Sequence, residues 1–194
     1  AGIISVKQAI CFMAMLSTIG LIILLQFNNF AVTLGASSLI LIAIYPLSKR
    51  FTHWPQFILG LTFNWGALLG WATVHGEIGI AAIVLYVGGI FWTLGYDTIY
   101  ALQDKEDDAT IGIKSTALTL GERVHNWLYV FYGLAISFFG IPGWLIALSW
   151  PFYLGLFAAA IQAFWQVNNL VTHSPNDCLN KFQSNRLFSW LFLS

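Results

Sequence analysis

Residues Gln8–Leu47 read QAICFMAMLSTIGLIILLQFNNFAVTLGASSLILIAIYPL, a run without one charged side chain. Charge-free runs also separate Arg50 from Glu77, Glu77 from Asp97 and Arg123 from Asp177. Over the whole chain 58% of residues are hydrophobic and 8% are charged, whereas a soluble globular domain carries about 25% charged residues. A soluble fold would have to expose this apolar surface to water, while a bilayer requires it. The expected fold class is all-α, a polytopic membrane helical bundle.

Interruptions in the apolar pattern mark the expected spans at 9–25, 31–46, 56–74, 79–96, 126–140 and 144–165, with a seventh opening near 187. Tight linkers on one side read Phe27-Asn28-Asn29, His75-Gly76-Glu77 and Ile141-Pro142-Gly143. All eight cations, Lys7, Lys49, Arg50, Lys105, Lys114, Arg123, Lys181 and Arg186, then fall on the other side. Short loops rich in Lys and Arg stay on the cytoplasmic face, and a wrong span count would scatter these residues between both faces. The charged face is therefore expected to be cytoplasmic in a bacterial inner membrane, or on the matrix side of a mitochondrial inner membrane. The first residue is Ala1 and the last span is short, so the chain is expected to be a segment of a longer protein. Cys11 and Cys178 show no metal-ligand spacing and are expected to form no disulfide.

Five of the eight carboxylates, Asp97, Asp104, Glu106, Asp107 and Asp108, lie within one short stretch. On a continuous helix Asp97, Asp104 and Asp108 fall at i, i+7 and i+11, on one face. Like charges so close repel unless a cation or proton compensates them, and hard divalent ions accept carboxylate oxygens. Asp104 and Asp108, four apart, are candidate metal ligands, with Asp97 at the mouth of the same helix. Lys114, just past the expected break at Gly112, can reach an anion held by that metal. A metal beside a lysine is an arrangement suited to a diphosphate.

A second segment, Tyr45-Pro46-Leu47-Ser48-Lys49-Arg50-Phe51-Thr52-His53-Trp54-Pro55-Gln56, carries clustered cations between two prolines. Pro46 and Pro55 are expected to fix the ends of a shaped loop. Lys49, Arg50 and His53 make it a candidate anion site, and a guanidinium can grip a carboxylate or phosphate by two parallel hydrogen bonds. The third polar segment, Asn168–Arg186, reads as a surface loop or helix. No ionisable residue stands near the middle of a span, and no broken helix is expected there, in contrast to ion-coupled transporters. Charge at one face above apolar, aromatic-rich helices suits a ligand with an anionic head and a long apolar tail.

The pattern Tyr96-Asp97-x-x-Tyr100-Ala101-x-x-Asp104-x-x-Asp107-Asp108, followed by Ile111-Gly112-Ile113-Lys114-Ser115-Thr116-Ala117, resembles the second aspartate-rich motif of the UbiA intramembrane prenyltransferases. The loop Tyr45-Pro46-x-x-Lys49-Arg50-x-Thr52-His53-x-Pro55-Gln56 and the segment Asp177-Cys178-x-x-x-Phe182-x-x-Asn185 are similar to the branch of that family that prenylates 4-hydroxybenzoate in ubiquinone biosynthesis.

The resemblance covers the whole chain. It implies a bundle of nine helices, of which this single membrane domain, residues 1–194, holds helices three to eight and the start of nine. It also implies a first motif, NDxxDxxxD, that this sequence lacks, so the segment alone is expected to be inactive. The implied enzyme transfers a polyprenyl group from polyprenyl diphosphate to the ring of 4-hydroxybenzoate, with Mg2+ as cofactor, membrane lipid as surroundings and no nucleic acid as partner. By the same resemblance Asp97, Asp104 and Asp108 are metal ligands, and Asp104, Asp108, Arg50 and Lys114 are catalytic. Lys49, Arg50, His53, Tyr96, Tyr100 and Lys114 contact substrate. The ring carboxylate is assigned to Arg50. The rival readings are another family member acting on homogentisate, a naphthoate, haem or a chlorophyllide, and a small-molecule transporter.

Overall fold

The computed structural model describes residues 5–193, with the side chains of Phe192 and Leu193 left undescribed. The expectation drawn from Ala1 lies outside these residues. Helices α1 (Val6–Leu24) and α2 (Asn29–Phe51) are followed by α3 (Pro55–Phe63) and α4 (Trp65–His75), then α5 (Ile80–Ala101). Two short helices, α6 (Lys105–Ile111) and α7 (Thr116–Leu120), lead through a 3-10 turn to α8 (Val124–Leu145), α9 (Trp150–Asn168) and α10 (Pro175–Leu193). Among the described residues five segments are long and apolar enough to cross a membrane: Val6–Leu24, Asn29–Phe51, Pro55–His75, Ile80–Ala101 and Thr116–Leu145. The expected sixth span forms α9, whose Gln162, Gln166 and Asn168 lower its apolar content.

Polar side chains set where these helices start. Ser5 and Gln8 form a reciprocal capping box on α1, answering two amides that have no partner inside the helix. Asn28 caps α2 by accepting from the Ala31 N–H at 2.9 Å, while its amide nitrogen donates to the Ala72 carbonyl at 2.8 Å, tying α2 to α4. The outward faces of α1 and α2 expose Ile10, Phe12, Met13, Leu39 and Ile40, apolar surface that hydrocarbon solvates at no cost.

The core gathers around α5. Gly95 lets α5 approach α8 closely, since a Cβ there would lie 2.9 Å from the Tyr132 ring. On another side Gly89 abuts Asn64 and Gly60 abuts Ile90, and small residues of this kind are what allow membrane helices to pack tightly. Phe188 of α10, 1% exposed, stacks on Trp92 of α5 with centroids 5.3 Å apart. Helix α9 is stitched to α10 by Gln166, whose amide nitrogen donates to the Lys181 carbonyl at 2.6 Å and the Ser184 hydroxyl at 2.8 Å. Its Oε1 in turn accepts from the Tyr132 hydroxyl.

Several boundaries differ from expectation for identifiable reasons. The third span is broken at Asn64, near its middle. The Asn64 amide nitrogen donates to the Gly60 carbonyl and to the Thr93 hydroxyl, both at 2.8 Å. A short polar side chain has thus competed with the helix for its own backbone. Pro46 does not end α2, which continues to Phe51, so Lys49 and Arg50 occupy its last turn instead of a loop. Pro142 likewise lies within α8, and the connection to α9 falls at 146–149. The final helix opens at Pro175, well before the expected 187. The acidic segment turns at 102–104, so Asp97 and Asp108 stand on different helices and the expected single-helix stripe does not form.

Candidate functional site

The site is assembled where α2 ends, α5 ends and α10 passes. Gly112 adopts φ 71°, a left-handed cap that turns the chain back after α6. The returning strand of 113–115 meets the end of α2: the Lys114 N–H donates to the Lys49 carbonyl at 3.2 Å, and Lys114 Nζ to the Phe51 carbonyl at 3.5 Å. Gln56, 2% exposed, accepts from the Thr116 N–H at 3.1 Å. The Thr116 and Thr98 hydroxyls share a 2.6 Å hydrogen bond, and the Thr119 hydroxyl donates to the His53 carbonyl at 3.3 Å. The two segments singled out in the sequence are therefore laced into one unit. Lys49 and Arg50 in the last turn of α2 and Lys114 against its final carbonyls all favour the negative end of the helix dipole.

Three carboxylates face this basic end in different ways. Asp104 is exposed at the start of α6, and its carbonyl accepts from the Asp108 N–H at 2.8 Å. Asp108 is 8% exposed. Burial pushes its carboxyl above the usual carboxylate range; Lys49 pulls it down, and Asp104 and Asp107 push it up again. Asp97, half-buried on α5, also feels the Lys49 charge. Lys49 is thus the cation common to Asp97 and Asp108. Among the described residues the one carboxylate in an ion pair is Asp177, 3.6 Å from Lys181, so the acids near α6 stay uncompensated. No three His, Cys, Asp or Glu side chains among the described residues stand ready as a ligand set. Asp104 and Asp108 remain a pair of oxygen donors on one helix turn, chemically suited to a hard divalent cation.

Trp92, Tyr96 and Asp97 of α5 line a cavity of about 440 Å³ together with Phe182, Asn185 and Arg186 of α10. A second cavity, about 240 Å³, shares Trp92 and Ser189 with it and continues among Leu85, Gly89, Phe139 and Phe188. A polar mouth thus leads to an apolar interior. Tyr100 leans on Phe182 with centroids 4.8 Å apart. His53 and Lys114 line a separate depression with Gly112 and Ser115. Arg50 is exposed, and the guanidinium on the wall of the Asp97 cavity belongs to Arg186. The sequence reading had not placed Arg186, Asn185 or Trp92 at the site. The first two lie in the polar segment Asn168–Arg186, but its approach to α5 depends on the position of α10.

Comparison with known proteins agrees with this fold. The family model described as the UbiA prenyltransferase family matches residues 1–193. The chain is 48% identical over 195 residues to the mitochondrial 4-hydroxybenzoate polyprenyltransferase of Arabidopsis thaliana, covering 100% of this chain and 48% of that protein. Its identity to the protein of the same name from Homo sapiens is 46%, covering 96% of this chain and 50% of the relative. The chain thus spans about half the length of the curated relatives it matches. Among solved structures, a UbiA homologue from Aeropyrum pernix K1 superposes with a TM-score of 0.80 at 18% identity, over 99% of this chain and 74% of that one. A digeranylgeranylglyceryl phosphate synthase structure gives a TM-score of 0.71 at 18% identity, over 100% and 69%. These two establish the likeness of fold alone. With its acidic and basic segments joined above an apolar cavity, and a match along nearly its whole length, the chain belongs to the UbiA prenyltransferase family.

Proposed function

We propose that this chain forms the second-motif side of an active site that transfers a polyprenyl group from polyprenyl diphosphate to the ring of 4-hydroxybenzoate, in ubiquinone biosynthesis. The observation that carries the reading is the joining of the basic end of α2 to the segment that follows the acidic helix, through the Lys114 N–H and the Lys49 carbonyl at 3.2 Å, beside an apolar cavity that Asp97 lines. Sequence identity of 44–48% to relatives named for this reaction supports the acceptor. On this reading residues 1–194 are one membrane domain, helices three to nine of a nine-helix bundle. The relatives' mitochondrial names favour the mitochondrial inner membrane, with the charged end toward the matrix.

Asp104 and Asp108 would hold Mg2+, which when bound would neutralise charge that builds on the departing diphosphate, while Asp97, on another helix, does not complete a set of three ligands with them. Lys49, Arg50 and Lys114 bring three cations to the same anion, and their placement around the end of α2 orients them before substrate arrives. His53, beside Lys114, extends that basic rim. Allylic carbon bearing positive charge is sheltered below by the faces of Trp92, Tyr96 and Phe182. The apolar cavity keeps water from capturing it, leaving the ring carbon ortho to the phenol hydroxyl as the nucleophile.

The test is turnover by the complete protein in proteoliposomes with Mg2+, a polyprenyl diphosphate and 4-hydroxybenzoate. Equal amounts of diphosphate and of ring-prenylated product are expected. Prenylation of homogentisate in preference to 4-hydroxybenzoate, or uptake of a solute without diphosphate release, would replace this reading by one of its rivals.

A further inference from the structure

Arg186 stands more than halfway along α10 and is the last charged residue of the chain, followed by Leu187, Phe188, Trp190 and Leu191. It is exposed, and of the eight cations it is the one that lines the cavity of about 440 Å³ between α5 and α10. Arg50 is not on that wall, and Lys114 lines the separate depression with His53. Phe182 and Arg186, four apart, share one face of α10. Most of the remaining wall is apolar or aromatic, with Leu59, Phe63, Trp92 and Tyr96. Among the described residues Arg186 makes no ion pair, although Asp97 lines the same cavity. Its charge and its five N–H donors are thus left for a ligand.

Two anions enter the proposed reaction, the diphosphate of the donor and the carboxylate of the acceptor. The diphosphate carries more charge than one guanidinium offsets, and Lys49, Arg50 and Lys114 are gathered elsewhere, at the end of α2. A carboxylate matches a single guanidinium, which holds its two oxygens by parallel hydrogen bonds. Beside it the rings of Trp92 and Tyr96, with centroids 5.0 Å apart, and of Tyr96 and Phe182, 5.9 Å apart, form an aromatic wall for the ring of the same molecule. Resting on the proposed aromatic transfer, we propose that Arg186 is the residue that recognises the acceptor's carboxylate, in place of Arg50. Asp97, on α5, repels that carboxylate and so keeps it on the α10 side. The hydroxyl at the far end of the ring, with its ortho carbon, then points toward Asp97. The contact selects acceptors that carry an acid and leaves the cations at the end of α2 to the donor.

Binding, measured apart from turnover, tests this. The complete protein is loaded with Mg2+ and a non-reactive prenyl thiodiphosphate, then titrated with 4-hydroxybenzoate and with 4-hydroxybenzamide, its neutral isostere. In the unaltered protein the acid is expected to bind about 100-fold more tightly than the amide, as two charge-assisted hydrogen bonds would give. In Arg186→Gln that ratio should fall to about one, with amide and donor affinities unchanged, which also reports an intact fold. Arg50→Gln should keep the ratio and weaken the donor. Equal affinities in the unaltered protein, an undiminished ratio in Arg186→Gln, or a ratio lost in Arg50→Gln instead would overturn the assignment. Should Arg186→Gln bind neither amide nor donor, Arg186→Lys decides: a ratio reduced about tenfold with amide binding kept upholds the contact, and an unchanged ratio overturns it. Prenyl transfer is assayed on the same preparations. Acid discrimination lost in Arg186→Gln while the unaltered protein prenylates no 4-hydroxybenzoate would support the contact and overturn the reaction. Transfer without discrimination would overturn the contact alone.

Discussion

Asp108 illustrates how a candidate metal ligand costs the fold that holds it. Its carboxyl is raised chiefly by burial, so the folded protein favours the protonated form; the associated stability is present at low pH and is lost as pH rises through the raised value. Asp108→Asn should therefore melt at a higher temperature than the unaltered protein at pH 8 and show less difference at pH 4, checked by thermal unfolding in detergent. Turnover should fall about 100-fold or more, because the amide keeps the shape and loses the charge a divalent cation requires. The two arginines give a separate expectation. Arg186 lies on the cavity wall while Arg50 ends α2, so Arg186→Lys should raise the KM for 4-hydroxybenzoate about tenfold, and Arg50→Lys should raise that of the prenyl donor instead. Of this site, the sequence showed the acids and the basic loop because charge is conspicuous among apolar residues. Asn185 and Trp92 stayed hidden, since nothing in the sequence shows that α10 packs against α5 and brings the two to one cavity.

At the level of elements, the packing of α5 depends on glycines where side chains would collide. Gly95→Val should displace the Tyr132 ring and with it the bond from Tyr132 to Gln166, lowering stability by about 1–3 kcal/mol through overpacking. Gln56→Ala should cost a similar amount by leaving the Thr116 N–H enclosed without its acceptor. The two should differ in function, with Gln56→Ala weakening donor binding more, because Thr116 anchors the strand that carries Lys114. Thermal unfolding together with donor titration separates the two. The existence of these helices was legible from hydropathy, but their ends were not. Pro46 and Pro142 looked like boundaries, yet helices surrounded by lipid and neighbouring helices continue through proline, since no competing solvent is available to the backbone. Asn64 looked neutral and instead breaks its span, because its amide finds Gly60 and Thr93 at the right distance.

Across the whole molecule, the distribution of Lys and Arg anticipated which helix ends meet. The end of α2, the start of α3, the end of α5 and the start of α7 are joined by the Lys114, Gln56 and Thr98 bonds, and the start of α8 meets the end of α9 through His125 Nε2 and the Leu170 carbonyl at 3.1 Å. Charge could identify this shared face because short loops rich in Lys and Arg resist translocation. It could not show that the shared face is a working surface, which required the folding of 113–115 onto α2. Membrane-impermeant maleimide labelling in oriented vesicles tests the arrangement. With Cys11 and Cys178 replaced by Ala, single cysteines at Thr52 and Thr110 should be labelled from one side only, and cysteines at His75 and Leu148 from the opposite side only. The first pair lies between α2 and α3 and on α6, the second at the end of α4 and between α8 and α9. Treating α3 with α4 as one crossing, and α7 with α8 as another, is what puts Thr52 and Thr110 together. If the break at Asn64 instead made α3 and α4 a hairpin returning to the same face, His75 would be labelled along with Thr52, and the cations would no longer share one side.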